Sequence, residues 1–128
     1  MISIQWKQKE QEMMHVNEAR NGVVYLTWPA LEKISMIRHA FSTRLGGVSS
    51  GYLSSMNLSF SRGDEPENVR ENYRRFCEAA GFAMEQIVTS DQTHTTNVRY
   101  VTKRDCGSGV TRERDFHEID GMITDEPG

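Results

Sequence analysis

The sequence predicts an α+β fold with a mixed β-sheet flanked by helices. Three observations lead there. Short β-branched and aromatic runs recur along the chain, as strands do. A single long amphipathic helix stands among them. Strands outnumber helices and alternate with them irregularly, unlike a regular βαβ repeat. The chain has 128 residues, the size of one ordinary domain. Its hydrophobic share is 37%, which implies a wet surface or an incomplete core.

The elements follow in order. Residues 1–22 are a polar lead-in or the first arm of a hairpin, since Asn21-Gly22 is a turn signal. Val23 to Trp28 reads as a strand ended by Pro29. Ile37 to Thr43 reads as a second strand, with Ile37, His39 and Phe41 on one face. Arg44 to Ser55, with Gly46, Gly47 and Gly51, is a loop, and Asn57 to Phe60 a short strand after it. A helix is expected over Asp64 to Ala80, opened by an Asp64/Glu67 capping pattern with Pro66 in its first turn and stopped by Gly81. Its apolar stripe is Val69, Tyr73, Phe76, Cys77 and Ala80; Arg70, Glu71, Arg74 and Arg75 form a solvated face. Ile87 to Thr89, Asn97 to Val101 and Ile119 to Thr124 complete the expected strands, with a polar loop from Lys103 to Glu118 before the last.

Composition narrows the function. The formal charge is −3 and no basic stripe stands out, which argues against a nucleic-acid partner. No apolar run reaches the ~18–20 residues of a membrane-spanning helix, so no membrane is expected. The start, Met1-Ile2-Ser3-Ile4-Gln5, lacks the apolar core and small-residue cleavage site of a secretory signal. Cys77 and Cys106 are therefore expected as reduced thiols in a cytoplasmic protein, Cys77 as a small core residue.

Three features could carry chemistry. Arg44 follows a strand and precedes Gly46-Gly47; the arginine fork and close backbone approach suit a phosphate or carboxylate, and equally a plain turn with a surface arginine. It is not a P-loop, because no GxxxxGK[ST] is present. His94 lies in a polar strand-to-strand loop and could be a metal ligand, a general base or a solvated residue. Asp120 stands at the start of the last expected strand and could order a turn or assist a reaction. His39 reads as a strand residue, and His15 and His117 as surface.

The run Phe41-Ser42-Thr43-Arg44-Leu45-Gly46-Gly47-Val48-Ser49, then Gly51-Tyr52-Leu53-Ser54-Ser55-Met56-Asn57-Leu58, then Gly63-Asp64-Glu65-Pro66, Val69 and Asn72, resembles the amino-terminal signature of the laccase-domain family. These proteins are also called multicopper polyphenol oxidase-like or purine nucleoside phosphorylases. Gln92-Thr93-His94 resembles the family's Q-V-H-G element, and Asp120-Gly121-Met122-Ile123-Thr124 its D-G/A-L-I/V-T element.

The resemblance implies that residues 1–128 are the amino-terminal part of a single domain and that the domain is incomplete. It implies a zinc site built from His94, a Cys from a later A-D-C element and a His from a later H-x-G-W element. Cys106 falls before the D-G-x-I-T element and is not that Cys. Gln92 and Asp120 are the expected partners of the His94 ring. Thr95 stands where the family usually has Gly. The implied reaction is phosphorolysis of inosine or adenosine, with adenosine deamination as a further activity. Arg44 would hold phosphate, and Asn57 a ribose hydroxyl or the phosphate. The implied partners are a purine nucleoside, phosphate and the missing carboxy-terminal half, without which the chain is expected to be inactive. The alternatives are a copper-dependent polyphenol oxidase, as the family's older name suggests, and a non-catalytic partner module.

Overall fold

The computed structural model describes residues 13–127, so the first half of the polar lead-in lies outside the described residues. The chain divides between Gly81 and Phe82 into two compact units. The mixture of one antiparallel sheet, one parallel sheet and helices is α+β.

The first unit begins with the expected hairpin. β1 (His15–Glu18) pairs antiparallel with β2 (Val24–Thr27), in the register His15 to Thr27 and Glu18 to Val24. Gly22 takes φ +83° in the turn, a conformation that favours glycine. The Asn21 side chain accepts from the Val23 N–H and donates to the Arg75 carbonyl, so the turn is tied to the helix that follows. Pro29 ends β2 and also opens a one-turn helix, α1 (Pro29–Glu32).

The second expected strand shrinks to β3 (Phe41–Ser42), paired with Leu26 and Tyr25 of β2. His39 lies outside it. Its Nε2 accepts the Trp28 N–H at 2.7 Å, so a side-chain bond takes the place of a ladder bond. Asn57 to Phe60 is not a strand. The Asn57 amide accepts from the Ser59 N–H and donates to the Ser59 carbonyl, which curls the backbone into a local turn.

α2 (Pro66–Ala80) is the expected helix, stopped by Gly81 at φ +75°, whose N–H bonds the Cys77 carbonyl. Its start differs from expectation. Glu65 is the N-cap and its side chain makes no capping bond. Asp64 does not cap because its carboxylate is drawn outward to Ser49 and Asn57 as well as to Glu65 and Asn68. Val23, Met56, Val69 and Cys77 form the buried apolar core, while Tyr73 and Phe76 are half-buried. The most buried polar residue of the helix is Asn72, which the apolar stripe omitted.

The second unit holds β4 (Val98–Tyr100) and β5 (Gly121–Ile123), a parallel pair in the register Val98 to Gly121 and Tyr100 to Ile123. Parallel strands need a long crossover. Here it is a knitted loop rather than a helix, with a turn of 3₁₀ helix at Lys103–Asp105 capped by Thr102. Val110 and Phe116 are its buried apolar residues, and Arg99 lies 4.5 Å from the Phe116 ring centre. Ile87 to Thr89 is not a strand. Its partner is the glycine-rich turn at 107–108, which bonds the Ile87 carbonyl and the Thr89 N–H but is too curved to extend a ladder. Among the described residues no helix is long and apolar enough to cross a membrane.

Candidate functional site

The two sequence signatures fall in different units, Arg44 and Asn57 in the first and His94 in the second. In the first, Gly46 and Gly47 make close backbone packing possible. A Cβ on Gly46 would lie 2.4 Å from the Gly22 carbonyl oxygen, and one on Gly47 2.0 Å from that of Ser55. The N–H groups around them are donated internally: Leu45 to Thr43 Oγ1, Gly47 to Ser55 Oγ, Val48 to Asn72 Oδ1 and Ser49 to the Ser55 carbonyl. The glycine pair therefore serves the loop's own packing, and the N–H groups of Leu45, Gly47, Val48 and Ser49 are spent within it.

Arg44 is exposed. Its Nε donates to the Ser54 carbonyl at 3.1 Å and its Nη2 to the Tyr52 carbonyl at 2.8 Å. A guanidinium has five N–H donors, so the group is held in place with donors left over for an anion. Asn57 is more fully engaged, because its Nδ2 also donates to Asp64 Oδ2 at 2.9 Å. Asp64 collects Ser49 Oγ at 2.5 Å, Asn57, Asn68 Nδ2 and the Glu65 N–H. The Ser49 hydroxyl first, then Asn57 and Asn68, hold its pKa down at about 2. Asn72, fully buried, donates to Ser49 Oγ and to the Asn57 carbonyl, both at 2.8 Å.

In the second unit His94 is exposed and sits at φ +63°, a left-handed conformation rare outside glycine. Its loop is laced to the segment before β5 by two carboxylates. Asp91 accepts the Glu118 N–H, and its own carbonyl accepts the Ile119 N–H. Asp120 Oδ1 accepts the Thr93 N–H at 3.1 Å and both the Thr95 N–H and hydroxyl at 3.0 Å. The Thr95 N–H first, then the Thr93 N–H, the Thr95 hydroxyl and the His94 N–H, hold the Asp120 carboxyl below its ordinary range against partial desolvation. The Glu118 N–H first, then His117 and Arg114, do the same for Asp91. Asp120 thus grips the backbone of the His94 loop, not its ring as expected from the sequence, and Gln92 is exposed. Thr95, in place of the family's glycine, is accommodated because its hydroxyl joins the same carboxylate.

The other histidines are surface or structural. His15 lies against Glu32, and His117 against Asp91. Cys77 is buried and Cys106 partly so. An imidazole such as His94 suits zinc or copper. Among the described residues, however, no group of three or more His, Cys, Asp and Glu stands close enough to hold a metal ion. These residues do not complete a three-ligand site.

The second unit thus carries one exposed imidazole on a laced loop, within an α+β scaffold. The family model described as Multi-copper polyphenol oxidoreductase laccase matches residues 38–128, and the chain belongs to that family. It is 37% identical over 106 residues to a purine nucleoside phosphorylase of Bacteroides thetaiotaomicron, covering 80% of this chain and 38% of that protein. It is 36% identical over 91 residues to the purine nucleoside phosphorylase YlmD of Geobacillus stearothermophilus, covering 68% of this chain and 32% of that protein. The crystal structure of YlmD from the same organism superposes with a TM-score of 0.70 at 29% identity, covering 90% of this chain and 41% of that one. The Bacillus licheniformis protein YfiH shares the fold, with a TM-score of 0.73 at 24% identity over 88% of this chain and 40% of that one. The chain spans about a third of the length of these two curated relatives.

Proposed function

We propose that this chain is the amino-terminal part of a single-domain, zinc-dependent purine nucleoside phosphorylase. His94 is one of three protein ligands, the others coming from polypeptide outside these 128 residues. The observation that carries the reading is His94 itself: an exposed imidazole on a loop fixed by two carboxylates, at the position of the family's Q-V-H-G histidine. Phosphorolysis of inosine or adenosine needs a cation for the attacking phosphate, and Arg44, anchored with spare donors, supplies it. Asn57 orients phosphate or a ribose hydroxyl through its remaining acceptor capacity. Hydrolytic deamination of adenosine belongs to the same complete site, which works in the cytoplasm.

The chain alone is inactive and binds zinc weakly, because useful zinc affinity needs three or four protein ligands. The test mixes the chain with the carboxy-terminal remainder of the Bacteroides relative and follows hypoxanthine release from inosine and phosphate. Phosphate-dependent release that needs both pieces, and is lost with His94→Ala, supports the reading. No release from the mixture when the full-length relative is active in the same assay refutes it. Arg44→Ala should raise the KM for phosphate, and an unchanged KM removes Arg44 from the site.

The family's description as a multi-copper polyphenol oxidoreductase favours a second reading, copper-dependent oxidation of phenols. Metal content of the active mixture separates the two. Zinc without phenol oxidation supports the first, copper with it the second.

A further inference from the structure

We propose that Asp120 is a positioning residue for His94: its carboxylate fills a concave nest of backbone N–H groups and so holds the histidine in the left-handed conformation that turns its ring to solvent. The inference rests on the reading of His94 as a working imidazole.

Consecutive N–H groups converge on one point when a right-handed residue meets a left-handed one, and the concavity binds an anion. Here the N–H groups of Thr93 and Thr95 both bond one carboxylate oxygen, at 3.1 and 3.0 Å, with His94 at φ +63° between them. The two features require each other. A residue with a Cβ occupies the left-handed region at a cost in free energy, and converging donors without an acceptor would repel. Asp120 supplies the anion from within the protein, 26 positions along the chain. The Thr93 and Thr95 N–H groups bond it, and the His94 side chain is left exposed.

A purely structural role is the competing explanation, and the strand pairing argues against it. The ladder of β4 with β5 begins at Gly121, after Asp120. The backbone N–H groups of Asp120 and Gly121 already bond the Asn97 carbonyl at 3.0 and 3.2 Å. The sheet does not need the carboxylate, whereas the His94 turn does. Thr95 strengthens the same grip, because its hydroxyl is a further donor to Oδ1.

The experiment is NMR on the isolated chain without metal, so its outcome does not depend on the phosphorylase reading. A residue at positive φ gives a strong NOE between its own N–H and Hα. In Asp120→Ala the His94 NOE should weaken and the 93–95 amides should exchange at least tenfold faster, while the NOEs between Val98 and Gly121 and between Tyr100 and Ile123 persist. Asp120→Asn keeps an acceptor oxygen and should restore most of the amide protection. His94→Gly should leave the Thr93 and Thr95 amides protected, since the carboxylate binds backbone and not ring. A strong His94 NOE retained in Asp120→Ala would overturn the proposal. So would loss of the β4–β5 NOEs in both Asp120 variants, because that would make the role structural.

Discussion

The signature loops of the two units are built alike and put to opposite use. In each, one aspartate gathers the polar groups of an irregular segment, Asp64 for residues 44–64 and Asp120 for residues 93–95. Around Asp64 the bonds run inward: the Asn57 amide and the Ser49 hydroxyl donate to the carboxylate, and the buried Asn72 donates to the Ser49 hydroxyl and the Asn57 backbone carbonyl. Around Asp120 they hold a turn that leaves a histidine exposed. The first arrangement holds a loop together with one arginine at its rim, and the second leaves an imidazole exposed. Much of a family signature therefore records how a loop packs, and only a few positions record what it does.

Gly47→Ala should do the greatest damage. The new Cβ would meet the Ser55 backbone 2.0 Å away, which cannot swing aside. A loss of about 3 kcal/mol or more is expected in denaturant titrations. Gly109→Ala in the second unit is the comparison. Its Cβ meets the Thr89 hydroxyl at 2.1 Å, a side chain that can rotate, so the loss should come mainly from the left-handed backbone at φ +80° and be about 1–2 kcal/mol. Equal losses at the two glycines would erase the contrast.

Asn72→Ala strips partners from Val48 N–H, Ser49 Oγ and the Asn57 carbonyl, and should cost about 3 kcal/mol, the lower end for three groups at ~1–3 each because water can reach part of the loop. Phe76→Ala would cost ~3–5 kcal/mol were the ring fully buried. Half-buried as it is, about 2 kcal/mol is expected. A smaller effect should come from acid. The Asp64 pKa is depressed from 3.8 to about 2, so its contribution is complete above the unfolded value and fades as pH falls through the folded one. The unfolding midpoint should drop over that window, and Asp64→Asn should flatten the drop; an identical pH profile in the variant would remove Asp64 from its central place. Glu67→Gln, which breaks an exposed pair with Arg70, should move stability by no more than about 0.5 kcal/mol.

The long helix and the hairpin were legible in the sequence because their signals are local. Pro66 and Gly81 bracket the helix, and Asn21-Gly22 marks the turn. What escaped depends on distant partners. Asn72 reads as polar and outward by any apolar periodicity, yet it is buried because a loop some twenty residues earlier bonds it. Asp64 reads as a helix cap until Ser49 and Asn57 claim the carboxylate. Ile87 to Thr89 carries strand-forming residues and lacks a straight partner. At the site, His94 was found by motif, whereas its left-handed backbone was not, since histidine gives no sign of it. The one available hint was Asp120 matched with two threonines flanking the histidine, a pattern that becomes meaningful only when the segments touch.

The tight fit at Gly47 bears on genetics. In a saturation screen of the complete protein, substitutions there would score as null alleles, whatever the activity selected for. Abundance tells such alleles from those that touch the proposed site: the glycine alleles should vanish from the soluble fraction, whereas His94 alleles, changed at an exposed side chain, should accumulate as folded protein. A map of intolerant positions drawn without protein levels would mix positions that hold the loop together with positions that serve a site.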